Sequence, residues 1–241
     1  MNEPRRQFGA IPRAGGVAID EGLRQYMLGV YNYMALGVAA TGLFSMLIAS
    51  NVGLMRTIMS GPLMLIGFFG ILGMGMMAPK VIMNGSKVAA HAMFWAYAAL
   101  WGVMIAPMLY MFQQQGAAVE IYRAFFITAS IFGALSLWGY TTKKDISGWA
   151  PILGAGLIGV IVVMLLNYFF FQSTMGSLLT SCAVVVLVSA MTAYETQMIK
   201  SLYREGSSMN ERTAIFGAFA LYGSFVTLFI HILNILGIMR D

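Results

Sequence analysis

One carboxylate stands in an otherwise apolar part of this chain, within the segment SAMTAYETQMIK that covers residues 189–200. No Asp, Glu, Lys or Arg lies between Asp145 and Glu195, and the next charged residue is Lys200. In a membrane span a carboxylate is costly to bury, and such residues pair with polar groups or line pathways for ions and protons. Glu195 is therefore predicted to be an ion-contacting or gating acid. The alternative is that it reaches the membrane surface, because Lys200 lies only about 7 Å further along a helix.

A second polar pattern follows near the C-terminus. Its members recur at spacings of three, four and three residues: Ser224, Thr227, His231 and Asn234. This spacing keeps them on one face of an α-helix, and a polar face within a membrane span turns toward the interior of the helix bundle. The last helix is therefore predicted to lie at the centre, with this stripe against other helices. Hydrogen bonding between helices, without any transport role, is the alternative.

Several motifs that resemble catalytic or cofactor sites lack the surroundings that such sites need. The run GAGLIG at residues 154–159 has the glycine spacing of a dinucleotide-binding loop, but it lies in an apolar helix with no acid until Glu195. His91 and His231 have no second ligand at helical spacing, and Ser224 has no histidine on another suitable helix. The chain is therefore predicted not to be an enzyme, to have no cofactor, and to have no metal site of high affinity.

The composition indicates a membrane protein. Of the 241 residues, 59% are hydrophobic and 10% are charged, compared with roughly 25% charged in soluble domains. A helix needs about 20 mostly apolar residues to cross a bilayer. Charged residues delimit seven such segments: between Arg24 and Arg56, Arg56 and Lys80, Lys87 and Glu120, and Arg123 and Lys143, two between Asp145 and Glu195, and one after Arg212.

Residues 167–177, NYFFFQSTMGS, are predicted to separate the fifth span from the sixth, because polar and interfacial residues interrupt the apolar run there. The predicted fold is an all-α membrane protein with seven transmembrane helices joined by short loops. Residues 1–25 form a polar N-terminal segment, and residues 26–241 form the seven-helix domain.

The distribution of positive charge predicts the orientation in the membrane. Eleven of the 14 Lys and Arg residues fall in the N-terminal segment and in every second loop. Positively charged loops stay in the cytoplasm, so the N-terminus is predicted to be cytoplasmic and the C-terminus to be outside. Because the charge is spread over short loops, it fits attraction to anionic lipid headgroups and not a nucleic-acid surface.

Three segments together resemble the Bax inhibitor family, the transmembrane Bax inhibitor motif proteins, and indicate a bacterial member. YETQMIK in the sixth span is similar to the YDTQ segment of the family, which marks Tyr194, Thr196 and Gln197 as motif residues. The segments AFFITASIFGALSLWGYTTKKDISGW and ALYGSFVTLFIHILNILG also resemble the fourth span with its loop and the last span of the family. The resemblance covers nearly the whole chain.

The resemblance implies six helices around a central seventh helix, in a bacterial inner (plasma) membrane protein. It also implies a pH-sensitive calcium leak channel, in which an acid on the sixth helix pairs with an Asp on the seventh. In this chain the first acid is Glu195, and Ser224 stands at the second position. The family latches this pair with a basic residue near the cytoplasmic end of the second helix, for which Lys80 and Lys200 are the candidates.

The serine changes what the site is expected to do. Two carboxylates in one site share a proton because both cannot ionise cheaply, whereas Glu195 opposite Ser224 titrates alone. Calcium prefers several oxygen ligands, so one carboxylate with Ser224, Thr192 and Thr227 predicts weak coordination of a passing ion. The alternative function is a non-conducting regulator that binds other membrane proteins, such as a quality-control protease, through its polar N-terminal segment.

Overall fold

The computed structural model describes residues 14–59 and 61–240, with side chains described from residue 21 onward. Most of the predicted N-terminal segment, including Arg5, Arg6 and Arg13, lies outside the described residues. Its last part, from Ala14, is helical and continuous with the first span. Within the described residues all regular secondary structure is helical: α1 Ala14–Ala49, α2 Val52–Ile58, α3 Pro62–Asn84, α4 Lys87–Gln114, α5 Ala118–Thr141, α6 Trp149–Leu166, a π-helical turn Asn167–Phe171, α7 Thr174–Leu202 and α8 Asn210–Arg240.

Seven of these helices are long and apolar enough to cross a membrane, which confirms the predicted number of spans. The additional helix α2 has only seven residues and lies between the first two spans. Because α2 is numbered as a helix but is not a span, the predicted sixth and seventh spans are helices α7 and α8. The end of the bundle that carries Lys80, Lys87, Lys143, Lys144 and Lys200 is called the lysine-rich end below, and the end with α2 and the π-helical turn is called the opposite end.

Side chains at the helix starts fix several of these boundaries. Asn51, Ser86 and Ser173 each accept a hydrogen bond from the backbone N–H three residues later, at 3.0, 3.1 and 3.1 Å. Such caps satisfy an N–H group that has no partner in the first turn of a helix. These three caps therefore begin α2, α4 and α7 at a defined residue.

The break between α6 and α7 lies inside the predicted separating segment. The Asn167 amide donates to the Ser173 carbonyl oxygen and accepts from the Ser173 N–H, both at 3.1 Å. Gln172 has a φ of 47°, in the left-handed region that ends a helix. The long charge-free run thus folds back on itself as two antiparallel spans.

The last helix is the centre of the bundle, as predicted. In the apolar window of α8, 61% of residues are buried, compared with 6% in the span that contains α6. Among the described residues, α8 contacts α1, α3, α4, α5 and α7, whereas α6 contacts α7 and the π-helical turn but not α8. The resemblance implies six helices around the last helix. In the structure five helices contact α8 directly, and α6 packs on the outside of α7.

Close packing of α5 against α7 depends on Gly139. A methyl group at this position would overlap the backbone carbonyl of Ala193, whereas Gly133 on the same helix faces open space. In GAGLIG, only Gly156 meets a neighbouring helix, at Leu187, and Gly154 and Gly159 face open space. Gly139, which permits the close approach of α5 to α7, thus lies outside the GAGLIG pattern that stands out in the sequence.

We expect Gly139→Ala to destabilise the detergent-solubilised protein by about 1–3 kcal/mol, because overpacking forces the backbones apart. The midpoint of thermal unfolding, followed by loss of the monodisperse chromatographic peak, measures this effect. Gly133→Ala is the matched control and should leave the midpoint in place. Equal midpoints for the two variants would contradict the close approach of α5 to α7.

Candidate functional site

Glu195 and Ser224 form a direct contact between α7 and α8. The Ser224 hydroxyl donates to Oε2 of Glu195 at 2.7 Å. Ser224 is buried, and Glu195 is partly buried within the bundle. Breaking this contact would leave a buried polar group without a partner, so it ties the sixth span to the central helix. The structure thus brings together the two positions that the family resemblance pairs.

The two predicted threonines lie nearby on the same helix faces, but they use their hydroxyl protons locally. Thr192 Oγ1 donates to the Val188 carbonyl oxygen at 2.9 Å, and Thr227 Oγ1 donates to the Gly223 carbonyl oxygen at 2.8 Å. Each hydroxyl is therefore bonded within its own helix. Their lone pairs are all that they can offer to a cation, which fits weak coordination.

The other motif residues around Glu195 hold the neighbouring helix and loop in place. Thr196 Oγ1 lies 2.8 Å from the Ser136 hydroxyl on α5, which also accepts from the Tyr31 hydroxyl of α1 at 3.2 Å. Tyr194 lies along its own helix, with its hydroxyl 3.8 Å from the Met198 sulfur. Tyr31 and Ser136 were not predicted from the sequence, because nothing in their local spacing indicates this long-range contact.

Gln197 joins two of the segments that carry the family resemblance. Its Oε1 accepts from the Ile146 N–H at 3.0 Å, and its Nε2 donates to the Lys144 carbonyl oxygen at 2.8 Å. In the same loop the Ser147 N–H donates to the Asp145 carboxylate at 2.9 Å, which lowers the pKa of that carboxyl below its usual value. YETQ and KKDIS are therefore one structural unit at the lysine-rich end.

We expect Gln197→Leu to release this loop while leaving the spans assembled, because both hydrogen bonds of the amide are lost and the Ile146 N–H and Lys144 carbonyl lose their partner. Amide hydrogen exchange of residues 142–148 should accelerate at least about tenfold, which corresponds to about 1.4 kcal/mol of local protection. Gln114→Leu, at the exposed end of α4, is the control. Unchanged exchange in the Gln197 variant would exclude this role.

The polar stripe of α8 continues from Ser224 toward the opposite end, where it contacts α7. Asn234 Nδ2 donates to the hydroxyls of Ser177 and Ser181 at 3.1 and 2.8 Å. His231 Nδ1 lies 3.1 Å from the Ser181 hydroxyl. The stripe thus faces α7, and Ser177 and Ser181 are its partners. Ser181 falls on the face of the sixth span that contains Glu195. This helical spacing is the sequence signal that could have identified Ser181 as a partner of the stripe.

Comparison with known proteins identifies the family. The family model described as Inhibitor of apoptosis-promoting Bax1 matches residues 23–241. The chain belongs to the Bax inhibitor family. The Rickettsia prowazekii protein RP147 is 35% identical over 92% of this chain and 93% of its own length. The inner membrane protein YbhL of Escherichia coli is 31% identical over 98% of both chains, and a Deinococcus radiodurans protein is 35% identical over 91% and 92%.

The similarity to YbhL and the seven apolar spans support a multi-pass inner membrane protein of the Bax inhibitor family. The described part of this family member contains no group of three or more His, Cys, Asp or Glu side chains that could hold a metal ion. The hydrogen bond that the Glu195 carboxylate accepts comes from the neutral hydroxyl of Ser224.

The two candidate latch residues lie away from the Glu195 carboxylate in this conformation of the Bax inhibitor family protein. Lys200 Nζ donates to the Tyr140 carbonyl oxygen at 2.8 Å and lies 4.8 Å from the centre of the Tyr140 ring. Lys80 is exposed at the lysine-rich end of α3. Among the described residues, neither lysine forms an ion pair with Glu195. The latch stays a prediction.

A different ion pair at the lysine-rich end of this family member was missed. Lys87 at the start of α4 pairs with Glu211 at the start of α8. His91, one turn further along α4, lies 3.9 Å from Glu211 and 2.6 Å from the Tyr33 hydroxyl on α1. The helical spacing of Lys87 and His91 places them on one face, but the position of Glu211 depends on how α8 packs against α4.

Proposed function

We propose that this protein lets cations leak across the inner membrane, with calcium as the ion and Glu195 as the gating or ion-contacting acid. The observation that carries the proposal is the contact of Glu195 with Ser224 inside the bundle. Within the described residues this carboxylate has no basic partner at ion-pair distance. A carboxylate in that position attracts a cation, because nothing close to it neutralises its charge.

Protonation of Glu195 supplies a simple gate. Ionised Glu195 accepts the hydrogen of Ser224, and protonated Glu195 can donate to the same oxygen, since a hydroxyl both donates and accepts. The contact between α7 and α8 therefore survives in both states, while the attraction to a cation disappears on protonation. With a serine opposite, the gate responds to one proton and not to a shared pair.

The proposed orientation places the lysine-rich end in the cytoplasm and the opposite end outside, because positively charged loops are retained inside. Glu195 is then in the cytoplasmic half of α7. Protease digestion of intact spheroplasts and of inverted vesicles, with a tag on each terminus in turn, measures this orientation. A tag at the C-terminus should be removed from spheroplasts and protected in inverted vesicles, and the reverse pattern would contradict the proposal.

The proposed function is tested with purified protein in liposomes that contain a calcium-sensitive dye. Calcium entry should exceed that of protein-free liposomes and should depend on pH.

The competing function, a regulator that binds other membrane proteins, is favoured by the position of α6, which has little contact with the rest of the bundle and leaves an apolar face for another helix. Absence of flux, together with capture of a membrane protease that is lost on deleting residues 1–20, would favour the regulator.

A further inference from the structure

A cavity with both polar and apolar lining opens at the opposite end of the bundle, between the π-helical turn, the start of α7 and the end of α8. Its volume is about 590 Å³, and its lining includes Asn167, Ser173, Ser177 and Asn234. The Asn167 amide is bonded within the turn, to Ser173. Ser177 and Asn234 are thus the polar groups that connect the cavity with the deeper part of the α7–α8 contact.

Two further polar side chains continue from this cavity into the bundle. Ser181 Oγ accepts from Asn234 at 2.8 Å and lies 3.1 Å from Nδ1 of His231. Since the serine proton is free to be donated to Nδ1, the network is satisfied by a neutral imidazole that carries its proton on Nε2. We call Ser177, Ser181, His231 and Asn234 the outer cluster. Ser181 lies about 10 Å beyond the start of α7.

An apolar layer separates the outer cluster from Glu195. On the α7 face that carries Ser181 and Glu195, the buried positions between Ser181 and Thr192 are Val184 and Val188, which are 4% and 3% exposed. On α8 the corresponding stretch contains Leu228, which is fully buried, and Thr227, whose hydroxyl is bonded to its own helix. Neither helix offers a free polar donor toward the other in this layer.

We infer that the cavity and the outer cluster form a water-filled vestibule for a small hydrated cation, closed from Glu195 by a hydrophobic gate of Val184 and Val188. Polar groups without charge can replace part of the hydration of a passing ion and do not hold it. A constriction lined by apolar side chains stops ions by excluding water. The inference rests on the proposed function for its gate, while the vestibule stands on the geometry of the outer cluster.

The gate is tested by making it polar. Val188→Ser should raise calcium flux into liposomes several-fold, about fivefold or more, because a hydroxyl lets water enter the constriction. Val186→Ser is the matched control: Val186 lies on the same helix but is 68% exposed on the lipid side, so flux should not change. Flux equal to wild type in the Val188 variant, or an equal rise in both variants, would overturn the gate.

The vestibule is tested without measuring conduction, by the reaction of single cysteines with silver ions added outside the liposomes. Ser181→Cys and Val186→Cys are compared in a Cys182→Ala background, and the thiols blocked by silver are counted from the loss of maleimide labelling after denaturation. Ser181→Cys should react at least about tenfold faster, because silver reaches a thiol through water and not through lipid. The unsubstituted protein, whose exposed Cys182 lies beside Ser181, is measured separately as a second lipid-facing control.

Equal reaction rates for the two cysteines would overturn the vestibule, whatever the flux. A reactive Ser181→Cys in a protein without flux supports the vestibule and contradicts the proposed function instead. A reactive Ser181→Cys in a conducting protein whose flux is unchanged by Val188→Ser keeps the vestibule and removes the gate. The three results are therefore distinguishable.

Discussion

Glu195→Gln is expected to lower calcium flux through the purified protein in liposomes by about tenfold or more, which corresponds to about 1.4 kcal/mol in the barrier. Glutamine has the shape of glutamate, and its amide oxygen still accepts from the Ser224 hydroxyl, whose present distance to Glu195 is 2.7 Å. The contact between α7 and α8 is thus kept, and only the negative charge is removed. Because the charge is what attracts the cation, flux falls while the fold stays intact.

The same variant is also expected to lose the pH dependence of flux, since the amide does not titrate. Glu205→Gln is the control, because Glu205 is an exposed carboxylate in the loop before α8, at the same end of the bundle. Flux is followed with an internal calcium dye at several external pH values. If Glu195→Gln conducts like wild type with the same pH profile, Glu195 is not the gating acid.

Ser224→Asp is expected to change the form of the pH response. It places a second carboxylate at hydrogen-bond distance from Glu195, and two such groups share one proton because both cannot ionise cheaply in a site of low polarity. Flux should then respond to two coupled protonation steps over a wider pH range. We expect about a tenfold difference in flux between wild type and variant at one or more pH values.

Ser224→Asn is the matched control for that variant, since asparagine has the shape of aspartate and no charge. It should keep the response to a single proton. Identical pH profiles for the Asp and Asn variants would show that the residue opposite Glu195 does not determine how the site titrates, and the distinction drawn between a serine and a second acid would be wrong.

Placing Glu195 beside Ser224 required more than either local pattern. The polar stripe of α8 predicted a helix face, but only the family resemblance matched residue 195 with residue 224, because this pairing depends on the register between two antiparallel helices. The lysines illustrate the same limit. Lys200 lies five residues from Glu195 in sequence, yet its ammonium group bonds to the Tyr140 carbonyl oxygen of α5.

The chemistry of the amino acids by itself determined the class of this protein, the seven spans and the central place of the last helix. These follow from local rules, because a bilayer demands long apolar helices, and a polar stripe must turn away from lipid. Glu195 stood out for the same reason, as a carboxylate at the end of a long run without charges.

Only the tertiary structure decided the polar contacts beyond that of Glu195 with Ser224. It set Gln197 against the loop at Lys144, joined Lys87 to Glu211, placed α6 outside the ring around α8, and left Val184 and Val188 between the outer cluster and Glu195. The physical reason is that helix register and rotation are fixed by packing along the whole interface. A close approach such as that of Gly139 to Ala193 is invisible in the periodicity of either helix alone.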